Sequence, residues 1–137
     1  MSLLVDAGPL YASVDADDDH HAAAAELFTR ATGPLLVPML VIAEVAYLIG
    51  KRLHAEAEVR FLGDIATGAF APEPVHAADW TRIAELVFKY RDMSLGTTDA
   101  SLVAAAERLK IRRVATLDHR HFAAVKPTHV DAFELVA

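Results

Sequence analysis

Cysteine is absent from this 137-residue chain, so disulfides and thiolate metal sites are excluded, and a reducing compartment is compatible with the composition. No long hydrophobic run is present either. The longest, Leu35 to Gly50, is broken by Pro38 and Glu44 and falls short of the roughly 18 uncharged residues of a membrane span. The opening MSLLVDAG lacks the basic stretch and extended apolar core of a secretion signal, so the expectation is a soluble, cytoplasmic protein with no membrane partner. Excess positive charge is missing as well: the formal net charge is −6 and the pI about 5.6. That argues against nucleic-acid binding by bulk charge, while leaving room for a local basic stripe. Repeats, low-complexity tracts and linkers are not found, and the length suits a single domain over residues 1–137.

What is there reads as an ordinary globular protein, 54% hydrophobic and 23% charged. Leu3 to Val5 form a short β-type run ending at Asp6, and Ala7-Gly8-Pro9 turn the chain into a helix. Asp15 to Asp19, beside His20 and His21, form a solvated acidic turn before a helix with Ala24, Leu27, Phe28 and Ala31 on its apolar face. Leu35 to Val37 predict a second strand, followed by a strongly apolar helix from about Met39 to Leu53. The helix from Ala55 to about Thr67 places Leu62, Ile65 and Ala66 on one face. Phe70 to Val75 read as an edge strand or extended loop, and a helix beginning near Asp79 carries the stripe Trp80, Ile83, Ala84, Val87 and Phe88, expected in the core. After the helix that follows Gly96, Val114 to Leu117 and Phe133 to Val136 read as the last strands. Strands alternating with helices, without hairpin turns, predict an α/β fold: one three-layer α/β/α domain around a mostly parallel sheet.

Four acids stand out against this pattern. Asp6 and Asp118 each end a strand-like run, the position where open α/β sheets place their chemistry. Asp99 lies in the first turn of an apolar helix, at the positive end of its dipole. Glu44 is the only charge between Arg30 and Lys51, and no basic residue three or four positions away on its helix compensates it. Gathering four carboxylates without a cation would oppose their ionisation, and a divalent metal removes the conflict. Oxygen donors favour hard ions such as Mg²⁺ or Mn²⁺, which suit hydrolysis of phosphate esters.

The segments LLVDAGPLYA, LGTTDASLVAAAERL and VATLDHRHF, with Glu44 between the first two, resemble the PIN-domain family and within it the VapC-type toxins of bacterial toxin–antitoxin pairs. The resemblance covers nearly the whole chain. It implies a Mg²⁺- or Mn²⁺-dependent endoribonuclease that hydrolyses RNA and is inhibited by a cognate VapB-type antitoxin. It also implies a homodimer. Asp6, Glu44 and Asp99 would be the principal metal-site acids and Asp118 the fourth, with Thr98 and Thr116 in support. Family members often have Ser or Thr after the first Asp, where this chain has Ala7; they often carry an acid at the position of Asp92, which here also has Lys89 three residues earlier as a helix partner.

Among the basic residues, Arg108, Lys110, Arg112 and Arg113 precede the strand that leads to Asp118 and are expected at the opposite sheet edge. His119, Arg120, His121 and Lys126 follow Asp118 and are better placed to contact RNA phosphate, although a loop-surface role also suits the two histidines. Two other readings compete. A PIN module that only binds RNA or protein would keep the fold without the chemistry, but all four acids are present. A receiver-like signalling domain would need adjacent acids after the first strand, and Asp6 stands alone; Gly8 likewise breaks the phosphatase pattern of acids two residues apart.

Overall fold

Leu3, Leu4 and Val5 are fully apolar and fully buried because β1 (Leu3–Val5) is the middle strand of the sheet, covered on both faces. The computed structural model describes residues 1–137. From β1 the chain passes through α1 (Ala7–Val14) and α2 (His21–Arg30) to β2 (Leu35–Pro38), then through α3 (Met39–Arg52) and α4 (Ala55–Ala66) to β3 (Ala71–Glu73). It crosses back through α5 (Asp79–Lys89), a 3₁₀ turn (Arg91–Met93) and α6 (Thr97–Leu109) to β4 (Arg113–Ala115), and finishes with α7 (His119–Ala124) and β5 (Glu134–Val136). The strand order is β3-β2-β1-β4-β5, with every neighbouring pair parallel. The expected α/β/α layering is therefore found. No helix is long and apolar enough to cross a membrane.

Strand alternation divides the core. Leu3 and Val5 point into one layer with Val41, Val45, Ile49 and Phe61, whereas Leu4 points into the other with Ile83, Leu86, Leu102 and Phe122. Because β2 and β3 grow from one side of β1 and β4 and β5 from the other, the strand order reverses between β1 and β4. Their carboxyl ends open the crevice where such sheets bind ligands. Gly8 belongs to this junction: a Cβ there would come within 3.2 Å of the Leu117 side chain, so the small residue lets α1 pass close to the segment after β4.

α6 is fixed from outside by two ion-pair systems. Arg82 grips Glu107 with Nε and Nη2 at 2.8 and 2.9 Å, and Arg108 reaches both Asp79 and Glu73. Burial opposes ionisation of Asp79 and Glu107, but the guanidinium groups beside them hold both carboxyls below their usual range.

Several local expectations change. On α5 the buried face is Asp79, Ile83 and Leu86, because Asp79 and Arg82 are drawn towards α6; Trp80 and Phe88 are turned out, 49% and 68% exposed. On α4 the buried residues are Ala57 and Phe61, while Leu62 faces solvent. The strand placed at Val114 to Leu117 lies at Arg113–Ala115, and a short helix, α7, occupies what reads as loop. Arg113 pairs with Glu134 of the neighbouring strand at 2.8 Å, and Arg112 and Lys110 lie before β4, at the amino edge of the sheet as expected.

Candidate metal centre

Asp6 directly follows β1 and is almost fully buried, its N–H donating to the Ala115 carbonyl of β4 at 2.9 Å. Its side chain does not cap α1. Instead Oδ2 accepts from Thr116 Oγ1 at 2.8 Å. The same hydroxyl oxygen accepts from the Asp118 N–H at 2.9 Å, so a single buried threonine joins the ends of both central strands.

Asp118 is not the last residue of a strand but the N-cap of α7, its Oδ1 accepting from the His121 N–H at 3.1 Å. Asp99 reaches the same place from the first turn of α6. Carboxylate oxygens of Asp99 and Asp118 and a ring nitrogen of His121 lie within 4.8 Å of one another. Glu44 is exposed rather than shut in by its apolar helix, yet it is close enough to Asp6 and Asp99 to act on both electrostatically. It has no Lys or Arg within ion-pair distance.

Electrostatics mark these four residues as one unit. Burial pushes the Asp99 carboxyl up to about 6, reinforced by the negative charges of Asp6 and Asp118. Burial also raises Asp6, against the lowering effect of the Thr116 hydrogen bond, and Asp118 adds to the rise. Glu44 is raised by desolvation and then by Asp6. Asp6, Glu44 and Asp99 thus resist ionisation through burial first and neighbouring acids second. Elsewhere in the chain buried acids are paired with arginine; here they are not.

Of the supporting residues expected from the sequence, Thr116 is in contact with the acids. The Thr98 hydroxyl forms no hydrogen bond to any of them, and Asp92 lies exposed in the 3₁₀ turn without an ion pair to Lys89. The basic residues after Asp118 divide. Arg120 and Lys126 are exposed and free of ion pairs. His119 is tied by Nε2 to the Thr116 carbonyl at 3.0 Å. His121 is no loop-surface residue: its Nδ1 meets Asp118 Oδ2 at 2.5 Å and its Nε2 meets the Met93 carbonyl at 2.6 Å. Both nitrogens are occupied, which removes it as a phosphate contact. The signal for this lay in the Asp-x-x-His spacing, which matches an N-cap residue with the third residue of its helix.

A five-stranded parallel sheet with acids converging at the β1–β4 crevice is the arrangement of a PIN domain, and the family profile described as PIN domain matches residues 3–126. The chain belongs to that family. More narrowly, it resembles ribonuclease VapC26 of Mycobacterium tuberculosis, with 34% identity over 134 residues that cover 98% of this chain and 99% of that protein. Among solved structures, Mycobacterium tuberculosis VapC20, described as a sarcin-ricin loop cleaving toxin, superposes with a TM-score of 0.77 at 20% identity, over 82% of this chain and 86% of its own. VapBC2 from Rickettsia felis, solved bound to a DNA fragment from its promoter, gives 0.72 at 16% identity with both chains covered completely. These two likenesses concern the fold.

Proposed function

We propose that this chain is a metal-dependent endoribonuclease of the VapC toxin type, a single PIN domain over residues 1–137 that acts on RNA in the cytoplasm. Asp6, Glu44, Asp99 and Asp118 are its catalytic acids. The observation that carries this reading is a cluster of acids in which Asp6, Glu44 and Asp99 are raised by burial and then by neighbouring acids, with no arginine or lysine paired to them. The donor set fits a hard divalent ion, Mg²⁺ or Mn²⁺, because it consists of carboxylate oxygens. Such an ion supplies Lewis acidity, activating water for attack on phosphorus and offsetting charge on the phosphoryl oxygens.

The residues of the chain do the rest. Asp6 and Asp99, approaching from a strand end and a helix start, would hold the cation together with Asp118 and the more exposed Glu44. Thr116 fixes the Asp6 carboxylate through its hydroxyl. Arg120 and Lys126, which follow Asp118 in the chain and carry no ion pair, hold the RNA backbone near the acids. Hydrolysis by water leaves a 5′-phosphate and a 3′-hydroxyl, since the ribose 2′-hydroxyl takes no part.

The likeness to ribonuclease VapC26 and to VapBC complexes supports RNA as the substrate and a VapB-type antitoxin as the inhibitory partner. A homodimer is the assembly we expect. The test is digestion of RNA by purified protein with Mg²⁺, with Mn²⁺ and with chelator, beside Asp6→Asn. Cation-dependent cleavage that is lost in the variant supports the proposal; equal cleavage by both proteins, or products ending in a cyclic phosphate, would defeat it.

A further inference from the structure

Besides its carbonyl, which accepts from the Val125 N–H, His121 makes three hydrogen bonds that bear on the geometry of one acid. Its main-chain N–H donates to Asp118 Oδ1 and its Nδ1 meets Asp118 Oδ2, so both oxygens of that carboxylate are held by a single residue. The third, from Nε2, goes to the Met93 carbonyl at 2.6 Å. A carbonyl and an ionised carboxylate only accept, so the ring bridges them as a double donor and offers no lone pair to a metal or a proton-bearing ligand. Met93 closes the 3₁₀ turn that leads into α6, and α6 carries Asp99 in its first turn. His121 therefore fastens the element bearing Asp118 to the approach of the element bearing Asp99. Phe122 of α7 already shares an apolar core with Leu95, Ala100 and Leu102, and the His121 bridge adds a polar tie beside the two acids.

We propose that His121 is the positioning residue that sets the placement of Asp118 relative to Asp99, and through it the affinity of the centre for its divalent cation. The proposal rests on the metal-centre reading given above. A side chain that orients a ligating group without touching the metal characteristically alters affinity or activity by about 10- to 100-fold when removed.

Mn²⁺ affinity of the metal-stripped full chain, measured by titration calorimetry, is the primary readout, with thermal unfolding in chelator as the fold control. His121→Ala is expected to weaken Mn²⁺ binding by about 10- to 100-fold while unfolding close to the parent temperature in chelator. Asn and Gln separate the two ends of the bridge. His121→Asn can still reach Asp118 and should retain part of the affinity; His121→Gln, which reaches towards Met93 instead, should behave like Ala. These two variants also carry the test should His121→Ala fail to fold.

The double variant decides whether His121 acts through Asp118. Losses in Asp118→Ala and His121→Ala that do not accumulate in the double variant support the proposal. Losses that multiply would overturn it, because His121 would then touch metal or substrate directly. Parent-like affinity in His121→Ala or His121→Gln beside an impaired Asp118→Ala would overturn the proposal alone. Parent-like affinity in Asp118→Ala would overturn it together with the assignment of Asp118 to the centre.

Discussion

Thr116 bridges Asp6 and the main chain of Asp118, donating to Asp6 Oδ2 at 2.8 Å while accepting from the Asp118 N–H at 2.9 Å. It is completely buried and Asp6 nearly so. Thr116→Val keeps the shape and leaves a carboxylate oxygen and an N–H without partners, at a cost of about 1–3 kcal/mol. Loss of the donor also raises Asp6 further. Weaker Mn²⁺ or Mg²⁺ binding and slower RNA cleavage are expected from Thr116→Val, with Thr116→Ser restoring most of both. Titration calorimetry and initial cleavage rates check this, and a Val variant with parent-like metal affinity would remove Thr116 from the account.

Asp99 gives the centre a pH signature. Its folded carboxyl is raised from about 4 to about 6, so its contribution favours the folded state below the unfolded value and is lost as pH rises through about 6. In chelator, the parent protein should therefore lose stability between about pH 4 and 7 relative to Asp99→Asn. Because Asp99 is only partly shielded from solvent, about 1–2 kcal/mol is expected at neutral pH. Saturating Mg²⁺ should reverse the order of the two proteins, since the cation binds the ionised form. Denaturant unfolding at several pH values, with and without metal, measures both effects.

The acids were legible in the sequence for physical reasons that differ from residue to residue. Asp6 ends a buried strand, where a charge is costly unless something offsets it, and Asp99 opens an apolar helix at the positive end of its dipole. Glu44 was legible only in part: its apolar helical neighbours suggest burial, but α3 turns Met39, Tyr47 and Glu44 towards solvent, and sequence periodicity does not say which side of an almost wholly apolar helix is covered. α5 was misread for a related cause. Its stripe is defined by hydrophobicity, whereas its rotation is set by Arg82 and Asp79 reaching Glu107 and Arg108, contacts made across 25 and 29 residues. The Asp118 half of the His121 bridge was readable from the Asp-x-x-His spacing, but the other half was hidden, because Met93 offers a main-chain carbonyl 28 residues away that leaves no trace in side-chain chemistry.

The basic residues provide a test of which sheet edge faces RNA. Arg113 is already paired with Glu134 and lies with Arg112 at the amino edge, whereas Arg120 and Lys126 follow Asp118 and carry no ion pair. Arg120→Ala with Lys126→Ala should raise the KM for a short RNA several-fold and flatten its salt dependence, because each lost phosphate contact reduces counterion release. Arg112→Ala with Arg113→Ala should change KM little. The opposite ranking in a cleavage assay at two salt concentrations would place the RNA on the other edge.

Asp79 should behave as the converse of Asp99. It is buried, but Arg108 and the His76 N–H hold its carboxyl below the usual range, so its stabilising contribution is present above the unfolded value near 4 and disappears as pH falls through the lower folded value. Asp79→Ala strands Arg108 beside Glu73 alone and loosens the clasp between α5 and α6. A loss of about 3 kcal/mol is expected at neutral pH, within the range for breaking a buried pair from one side. The loss should shrink in acid, the opposite trend to that of Asp99→Asn, because protonation silences the parent's Asp79 as well. Since the clasp lies along α6 beyond the first turn that carries Asp99, the variant that remains folded should bind Mn²⁺ as the parent does. Unfolding curves at neutral and acidic pH, paired with Mn²⁺ titration at a temperature where both proteins are folded, separate these effects. A fall in metal affinity in step with stability would mean that the clasp also fixes Asp99.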